Sequence, residues 1–529
     1  MKKLLLSTLA LSFATITNSQ TNFITAWTHT ASISSLFLTQ VGLTGAVHYT
    51  WTAMPSANTG TGTINSFGPA SIALNCPANN TITLEMNPNN LTSIKLLGGP
   101  DTDKLIDIKQ WGSVAWTTMN QAFAGCINLQ VTATDIPNLT NVTNMKQMFG
   151  SCQNLSGPSN INSWNVSNVV NMWGLFNSCL QFNQNISSWN TANVTDFGYM
   201  FGDCWLFNQP LNNWNTANGS NFEAMFSSAK AFNQPIGSWN TNNATNMSYM
   251  FSGATNFNQA ISSWNTTNVT NMKYMFNAAT NFNQPVGSWN TNNVTNMNTM
   301  FGEASNFNQP IGNWNTSNVT DMGQMFTRAV SFNQDISNWN VSNVDYLNSM
   351  FYFFSNNPGT FNQNLGTWTL KNNVNMNFML GYCGMSCDNY SSTLIGWNNN
   401  PLTPNGLSMI FDDVTYGTNA TAARSNLTGV KLWTITGDIA GSSSCNSVVT
   451  NNKQNINTTK FSLYPNPTNS YLQLQSNKIL ELVTIADVLG KTIYTNKTSE
   501  NELKIDLSTL NSGIYFITVG NTTKKIIKE

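Results

Sequence analysis

The side chains that could carry acid–base, nucleophilic or metal chemistry are few and scattered. Histidine occurs only at His29 and His48, outside the repeats that fill the middle of the chain. A histidine-based triad or a histidine-rich metal site within the repeats is therefore impossible. The acidic residues of the repeats fall at different positions, so no carboxylate pair recurs at glycosidase spacing. No glycine-rich phosphate loop follows a strand. We predict no catalytic, cofactor-binding or metal-binding residues and no enzyme activity, with a glycan-acting enzyme as a minor alternative.

Cysteine is the one reactive residue type with a regular placement. Four cysteines fall three residues after a repeated phenylalanine: Cys126, Cys152, Cys179 and Cys204. Alanine takes this position in later repeats, which indicates a small buried slot. Neighbouring repeats would also bring two cysteines within bridging range, and an exported protein can be oxidised. A disulfide ladder and buried free thiols both remain open, and four cysteines are left unassigned: Cys76, Cys383, Cys387 and Cys445.

The elements that position these residues repeat every 25 residues. The tryptophans of the repeat are Trp164, Trp189, Trp214, Trp239, Trp264, Trp289, Trp314 and Trp339. A fixed period over this many copies predicts a solenoid in which each repeat buries its apolar side chains against its neighbours. The predicted core is Trp189, Trp214, Trp239, Trp264, Trp289, Trp314 and Trp339, with Phe201, Phe226, Phe251, Phe276, Phe301 and Phe326.

Within one repeat, the apolar spacing predicts a short helix. From Val319 the apolar residues follow at intervals of 3, 3, 1 and 3, through Met322 to Ala329, which is one face of a helix. The β-branched and aromatic residues before it predict a short strand. The predicted fold class is an α+β repeat solenoid, leucine-rich-repeat-like, with one short strand and one short helix per 25-residue rung. All-β N-terminal and C-terminal β-sandwich domains flank it.

Polar columns follow the same period. We expect the asparagines to form amide ladders between stacked repeats. A threonine column is predicted to face outward from a strand: Thr191, Thr216, Thr241, Thr266, Thr291 and Thr316. An exposed threonine ladder would suit an ice-binding solenoid, which is a second minor alternative.

Composition shifts divide the chain into six segments. We predict a signal peptide (1–20), an N-terminal β-rich module (22–97), a leucine-rich-repeat-like solenoid (98–380), its C-terminal cap (381–440), a polar linker (441–460) and a final β domain (461–529). Lys2 and Lys3 before an apolar run are typical of secretion, and the run is too short to span a bilayer. We therefore expect an exported protein that does not span the membrane.

The charge of the repeats excludes nucleic acid as a partner. Only 8% of all residues are charged and the formal net charge is −1. Between residues 160 and 351 the basic residues are Lys230, Lys273 and Arg328, and acidic residues outnumber them. Such a surface offers little to a phosphate backbone.

The repeat motif resembles a known family. Residues 105–439, with Phe-Asn-Gln-x-Ile-x-x-Trp-Asn-Thr-Ser-Asn-Val-Thr-x-Met-x-x-Met-Phe, are similar to BspA-type bacterial leucine-rich repeat surface proteins, a branch first grouped with mycoplasma lipoproteins. The resemblance implies a secreted or surface protein, and adhesion is attributed to some members. It implies no defined ligand and no transferable binding residues.

The tail resembles the type A sorting domain of type IX secretion in Bacteroidota. The matching residues are Pro465, Asn466, Pro467, Gly490, Gly513, Tyr515, Lys524 and Lys525. This similarity implies a β-sandwich read by the type IX secretion translocon, its partner, and release at or attachment to the outer surface.

Together these features predict an exported, non-catalytic surface-attached or secreted repeat protein. It would bind an unknown extracellular protein or glycan as an adhesion or interaction scaffold. The alternative is a purely structural surface coat. Of the repeat positions, Lys230, Lys273, Glu303 and Arg328 are the ones left free for recognition.

Overall fold

The computed structural model describes residues 20–445, 461–476, 479–480, 482–487, 491–519 and 522–529. They form two compact units that divide between Ser447 and Val448. The predicted signal peptide, apart from Gln20, and residues 446–460 of the predicted linker lie outside the described residues.

The first unit begins with two antiparallel sheets packed on one core. The strands are β1 (Phe23–His29), β2 (Ile33–Leu43), β3 (Val47–Met54), β4 (Thr59–Ile64), β5 (Gly68–Cys76), β6 (Asn80–Met86), β7 (Leu91–Lys95) and β8 (Leu105–Gln110). One sheet has the order β4-β3-β6-β1-β8, continued beyond β8 by β9 (Gln130–Val131), and the other has the order β5-β2-β7. In β3 and β5 buried and exposed residues alternate strictly, as expected for strands with one face on a core. The short β9 (Gln130–Val131) pairs parallel to β8 and leads into the repeats.

The repeats stack in parallel, joined by single-residue β-bridges. The bridged residues are Asn144, Asn171, Asp196, Asn221, Asn246, Asn271, Asn296, Asp321, Tyr346 and Asn375, each paired with the next. The 25-residue step holds from Asn171 to Tyr346, and the insertion at 352–360 lengthens the last one.

The predicted helix in each repeat is wrong. The two α-helices among the described residues are α1 (Cys387–Asn399) and α2 (Thr421–Gly429), and both follow the repeats. Three short 3₁₀ turns lie at Thr102–Lys104, Ile161–Ser163 and Thr418–Ala420. The fold class is therefore not an α+β solenoid with one helix per rung. The described elements are mostly β-strands in several small sheets, and a ribbon of β-turns takes the place of each helix.

Hydrogen bonds show how the ribbon is built. Met325 N donates to Met322 O, and Ala329 N donates to Phe326 O, which closes two successive turns. The N–H groups on either side of Met325 N reach the next repeat: Gln324 N donates to Asn348 O and Phe326 N to Met350 O, both at 2.9 Å. The chain thus alternates turn bonds with a parallel ladder to the neighbouring repeat.

The turns reproduce the spacing of a helix face, which explains the wrong prediction. In each turn the first and fourth residues point into the core, so buried positions recur at i, i+3, i+4 and i+7. The third residue of each turn has positive φ, +59° at Gln324 and +58° at Arg328. That backbone region is incompatible with an α-helix. Spacing alone cannot separate the two structures.

Aromatic stacks run along the core of the repeats. The Phe251 and Phe276 rings lie 5.7 Å apart, and the Trp239 and Trp264 rings 6.3 Å apart, with the two ring planes nearly parallel in each pair. Each tryptophan in the regular region also donates its indole N–H across repeats, as in Trp264 Nε1 to Ile236 O at 3.1 Å. Buried indole groups need such a partner. The N-terminal sheets, the repeats and the residues up to Ile435 share one hydrophobic core.

The first unit ends in a small α/β segment. Helix α1 is capped at its N-terminus by Ser386, whose side chain accepts from Asn389 N. The strands β10 (Ser408–Ile410) and β12 (Thr434–Thr436) pair in parallel, as do β11 (Thr415–Tyr416) and β13 (Ile439–Ala440). Arg424 binds the buried carboxylate of Asp438 through two nitrogen atoms, each at 2.6 Å. Cys387 forms a disulfide with Cys445, and their Cα atoms are 5.8 Å apart.

The second unit is a pair of antiparallel sheets. Its strands are β14 (Phe461–Tyr464), β15 (Tyr471–Ser476), β16 (Leu482–Ala486), β17 (Thr492–Lys497), β18 (Glu502–Asp506), β19 (Gly513–Val519) and β20 (Thr522–Lys528). The sheet orders are β14-β15-β18 and β17-β16-β19-β20. Leu472, Leu474, Ile485 and Ile517 lie in the core that these sheets enclose.

Candidate functional site

The turn ribbons create an outward surface that differs from the rest of the repeats. We call it the ribbon face: the side chains outside the core at residues 171–181 and at the equivalent positions of the other repeats. Its two central columns vary from repeat to repeat. One reads Trp173, Gly198, Glu223, Ser248, Lys273 and Asn298, and the next reads Gly174, Tyr199, Ala224, Tyr249, Tyr274 and Thr299. The larger side chains of these columns are partly exposed, whereas Ala224, Ser248 and Thr299 are buried. Variation among partly exposed positions is typical of a surface that packing does not fix.

The first cluster on the ribbon face spans four repeats. Lys146 Nζ lies 4.6 Å from the centre of the Trp173 ring, and the Tyr199 ring lies 5.1 Å from it on the next repeat. The Tyr199 hydroxyl donates to Glu223 Oε1 at 3.3 Å. Partial burial, together with the charge of Glu223 and this hydrogen bond, raises the pKa of Tyr199 above its usual value.

The next two clusters contain the lysines that the sequence left free for recognition. Lys230 Nζ lies 4.1 Å from the Trp205 ring centre, and 43% of the Trp205 surface is exposed. Lys273 Nζ lies 5.4 Å from the Tyr274 ring centre, and Tyr274 stacks on Tyr249 at 4.7 Å. These are cation–π distances.

A fourth cluster gathers around the insertion at 352–360. Arg328 Nη1 donates to Glu303 Oε1 at 2.6 Å, and the guanidinium carbon lies 5.0 Å from the Phe354 ring centre. Tyr352 contacts Phe354 and Phe378 edge to face. Phe354 is 46% exposed. All four charged positions singled out from the sequence thus lie on the ribbon face. The three cations contact aromatic rings, and Glu303 forms an ion pair with Arg328.

Sequence reasoning missed the aromatic members of this face. Trp173, Trp205 and Tyr249 stand at positions where other repeats have glycine, lysine or alanine. Their departure from the repeat consensus was the available signal. The helical interpretation hid it, because a helix would have given these positions different neighbours.

The repeated tryptophans and phenylalanines lie in the interior. The tryptophans from Trp189 to Trp339 are 3–4% exposed and the phenylalanines from Phe201 to Phe326 are fully buried. These rings therefore form no platform for a ligand.

The threonine column expected to face outward is buried, so that expectation was wrong. Thr191, Thr216 and their equivalents are at most 2% exposed. Each hydroxyl donates across the repeats, as in Thr241 Oγ1 to Asn265 O at 2.9 Å. Thr241 begins a turn in which Ala244 N donates to Thr241 O. This turn stands where an extended strand was predicted, and it directs the threonine side chain inward. An ice-binding surface cannot be built from this column.

The regular cysteines are free and buried. Cys152 Sγ donates to Phe123 O, Cys179 to Phe149 O and Cys204 to Phe176 O, at 3.0–3.2 Å. Each thiol is thus hydrogen-bonded to a carbonyl of the preceding repeat. Burial raises the pKa of all three thiols well above the ordinary value, and it raises the pKa of Cys383 to about 12. Such thiols are poor nucleophiles and poor metal ligands.

Most of the residues that resemble a sorting signal lie in the described part of the second unit, in the loop after β14 and on β19 and β20. Asn466 Nδ2 donates to Lys525 O, and Ile527 N donates to Asn466 Oδ1, both at 2.8 Å. The loop that holds Pro465 and Pro467 is thereby fixed to β20. Tyr515 donates its hydroxyl to Asn511 O, and Lys524 Nζ donates to Phe461 O. Gly513 begins β19, whereas Gly490 lies outside the described residues.

Comparison with protein families gives two matches. The model described as "Mycoplasma protein of unknown function, DUF285" matches residues 117–236, 213–301 and 284–397. Together these matches cover more than half of the chain. The chain belongs to this family. The description of this family assigns it no function.

The second match concerns the tail. A secretion system C-terminal sorting domain matches residues 462–529. The sorting domain indicates export to the cell surface or the medium and implies the type IX secretion machinery as a partner. Among the described residues, no helix has the length and apolar character of a membrane span. No curated protein and no solved structure matches the chain.

Proposed function

We propose that this DUF285 protein is an exported, non-catalytic binding protein whose repeats present the ribbon face to an extracellular macromolecule. Resemblance to BspA-type surface proteins supports an adhesion role. The ligand class that best suits the ribbon face is protein, since tyrosine, tryptophan and arginine are the residues enriched at the centres of protein interfaces.

One observation carries the proposal. The charged side chains that vary among the repeats, Lys230, Lys273, Glu303 and Arg328, all lie on the face that also holds the partly exposed aromatic residues. Packing of the repeats does not require these residues, because equivalent positions carry glycine, serine or asparagine. Aromatic rings held by cation–π and stacking contacts are ordered before binding, which lowers the entropy that binding must overcome.

Ring geometry favours protein over sugar on this face. The Tyr249 and Tyr274 rings cover one face of each other at 4.7 Å. Lys146 and Tyr199 both lie against the Trp173 ring. These contacts occupy ring faces on which a sugar would otherwise stack.

The test is a binding screen of the mature protein against a panel of extracellular matrix and cell-surface proteins. The double variant Tyr249→Ala/Tyr274→Ala should weaken binding of a captured ligand by at least about tenfold, as expected for interface anchors. The matched control is Asn242→Ala/Thr267→Ala, at an exposed column where Ala192 and Ala217 occur naturally. Equal loss in both variants, or binding that survives in both, would contradict the proposal.

A further inference from the structure

A second exposed surface of the repeats has the opposite character to the ribbon face. We call it the ladder face: the exposed side chains at residues 190, 192, 193 and 195 and at the equivalent positions through residue 320. It consists of asparagine, threonine, serine and alanine, and no charged residue occurs in these segments of six successive repeats. All the lysines and arginines of the regular repeats lie on the ribbon face instead.

Hydroxyl groups on the ladder face are held in one orientation. They belong to Thr195, Ser220, Thr245, Thr270, Thr295 and Thr320. Each donates its hydroxyl proton to the carbonyl of the same column one repeat earlier, at 3.2–3.4 Å. The backbone N–H of the same residue donates to that carbonyl as well, at 2.9–3.0 Å. The hydroxyl is therefore not needed to satisfy the carbonyl.

Amide groups beside them are held in the same way. Asn193, Asn218 and the equivalent residues through Asn318 are exposed, and each donates through Nδ2 to a carbonyl of the preceding repeat at 2.6–2.8 Å. With their protons directed inward, the threonine hydroxyls face a ligand as hydrogen-bond acceptors. Because these rotamers are fixed before binding, a ligand does not have to order them.

From this arrangement we infer that the ladder face binds a neutral polysaccharide chain that lies along the stack. Sugar hydroxyls are donors that match a row of acceptors. A carboxylate, sulfate or phosphate group has only acceptors to offer and would meet no cation here. A protein surface would bury charged groups without partners, which is unfavourable.

Periodicity supports a polymer over a single small ligand. The same atoms recur in each repeat, at about the 4.8 Å separation of paired strands. Six repeats therefore offer a row of about 24 Å. A polymer of identical units gains a contact at each repeat, so individually weak contacts add to a useful affinity. Asparagine recurs at residues 190 and 193 and at their equivalents, and threonine or serine recurs at residue 195 and its equivalents. Such a ligand would select this recurrence.

The experiment measures retention of the full-length mature protein by neutral polysaccharides. The probes are insoluble cellulose and soluble β-1,3-glucan and starch in affinity gels, with polygalacturonate as the acidic comparison. Thr270→Arg/Thr295→Arg places two long cations on the ladder face. Thr255→Arg/Thr280→Arg makes the same change on the ribbon face of adjacent repeats, where Thr280 has the same kind of hydroxyl bond to Thr255 O.

We expect retention by a neutral polysaccharide to fall about tenfold or more in Thr270→Arg/Thr295→Arg and to be unchanged in Thr255→Arg/Thr280→Arg. Thr270→Val/Thr295→Val, which keeps the shape and removes the acceptors, should give an intermediate loss. Thermal unfolding of all variants shows whether they are folded.

Equal retention of both arginine variants would overturn the inference, as would the absence of retention by every neutral probe. Ice-crystal shaping without polysaccharide binding would also overturn it and would assign the face to a water lattice. Because Tyr249→Ala/Tyr274→Ala leaves the ladder face intact, failure here and failure of the ribbon-face proposal can be told apart.

Discussion

At the scale of single residues, two columns of the repeats have residues in the left-handed backbone conformation. The third residue of each turn has positive φ, and Gly253 in one such column shows that glycine is accepted there. Non-glycine residues pay a steric penalty of about 1–2 kcal/mol in this region, and glycine loses about 0.5–1 kcal/mol in chain entropy. The balance favours glycine.

This predicts opposite effects for one substitution at two neighbouring residues. Ala278, with φ of +55°, should gain about 0.5–1 kcal/mol of unfolding free energy when replaced by glycine. Ala279 is fully buried. Ala279→Gly should lower the unfolding free energy by about 1–2 kcal/mol, because it removes a buried methyl group and raises the entropy of the unfolded chain. Urea unfolding of both variants provides the measurement. Destabilisation by Ala278→Gly would contradict the turn geometry.

Gly219 replaces the valine of other repeats because two phenylalanine rings occupy the space. A Cβ atom at Gly219 would lie 2.6 Å from Phe222 Cζ and 3.1 Å from Phe197 Cε2. We expect Gly219→Val to lower the unfolding free energy by about 1–3 kcal/mol through overpacking. Adding Phe222→Met, the residue type of later repeats, should recover part of that loss in a double-mutant cycle. Additive effects of the two substitutions would show that the residues are not coupled.

Buried thiols make stability depend on pH in the alkaline range. Burial raises the pKa of Cys126, Cys152, Cys179 and Cys204, so the folded protein keeps protons that the unfolded chain releases. The stabilising contribution of the buried thiols is complete below the pKa of a thiol in the unfolded chain, which is about 8.5. As the pH rises above that value, the free energy of unfolding falls by about 1.4 kcal/mol per pH unit for each thiol. Replacing all four by alanine, which later repeats carry, should flatten the decline between pH 8 and 10 in urea unfolding. An unchanged slope would contradict the assignment.

At the scale of elements, the sequence allowed the period and the buried columns to be predicted but not the turn ribbon. Trp239 and Phe251 recur at a fixed step, and a fixed step means stacked copies in any repeat architecture. The spacing of a helix face is found at Met322, Met325, Phe326 and Ala329. The feature that distinguishes a turn from a helix here is the positive φ at Gln324, and glutamine as a residue type does not indicate positive φ. The local sign was glycine at the third position of a few turns, at Gly125, Gly174 and Gly253.

The same limit applies to the candidate site. Lys230 and Lys273 could be recognised as free positions because they break the repeat. Their aromatic neighbours Trp205 and Tyr249 could not be paired with them, because those contacts depend on which residues of adjacent turns face each other. The inward direction of Thr191 was likewise hidden, since an alternating strand pattern would place it outside.

At the scale of the whole molecule, the sorting domain and the repeats have separate roles. The sorting domain has its own core between two sheets, and its Asn466 loop is fixed to the last strand. A protein lacking residues 461–529 should therefore keep its folded repeats and lose its route across the outer membrane.

We expect this truncated protein to accumulate in the periplasm while the full-length protein becomes accessible to protease added to intact cells. Cell fractionation with immunoblotting measures the distribution. A full-length Tyr249→Ala/Tyr274→Ala variant is the control, since it changes the ribbon face and should still be exported. Truncated protein at the cell surface would contradict the role of the tail.

Hydroxyl-radical footprinting of the mature protein, with and without a ligand found in the binding screen, tests the ribbon face most directly. Trp205, Tyr249 and Phe354 are on the ribbon face, whereas the exposed Leu402 and Leu432 lie beyond the repeats and serve as internal references. We expect ligand to lower oxidation of the three aromatic residues and to leave oxidation of both leucines unchanged. Protection confined to residues outside the ribbon face would contradict it.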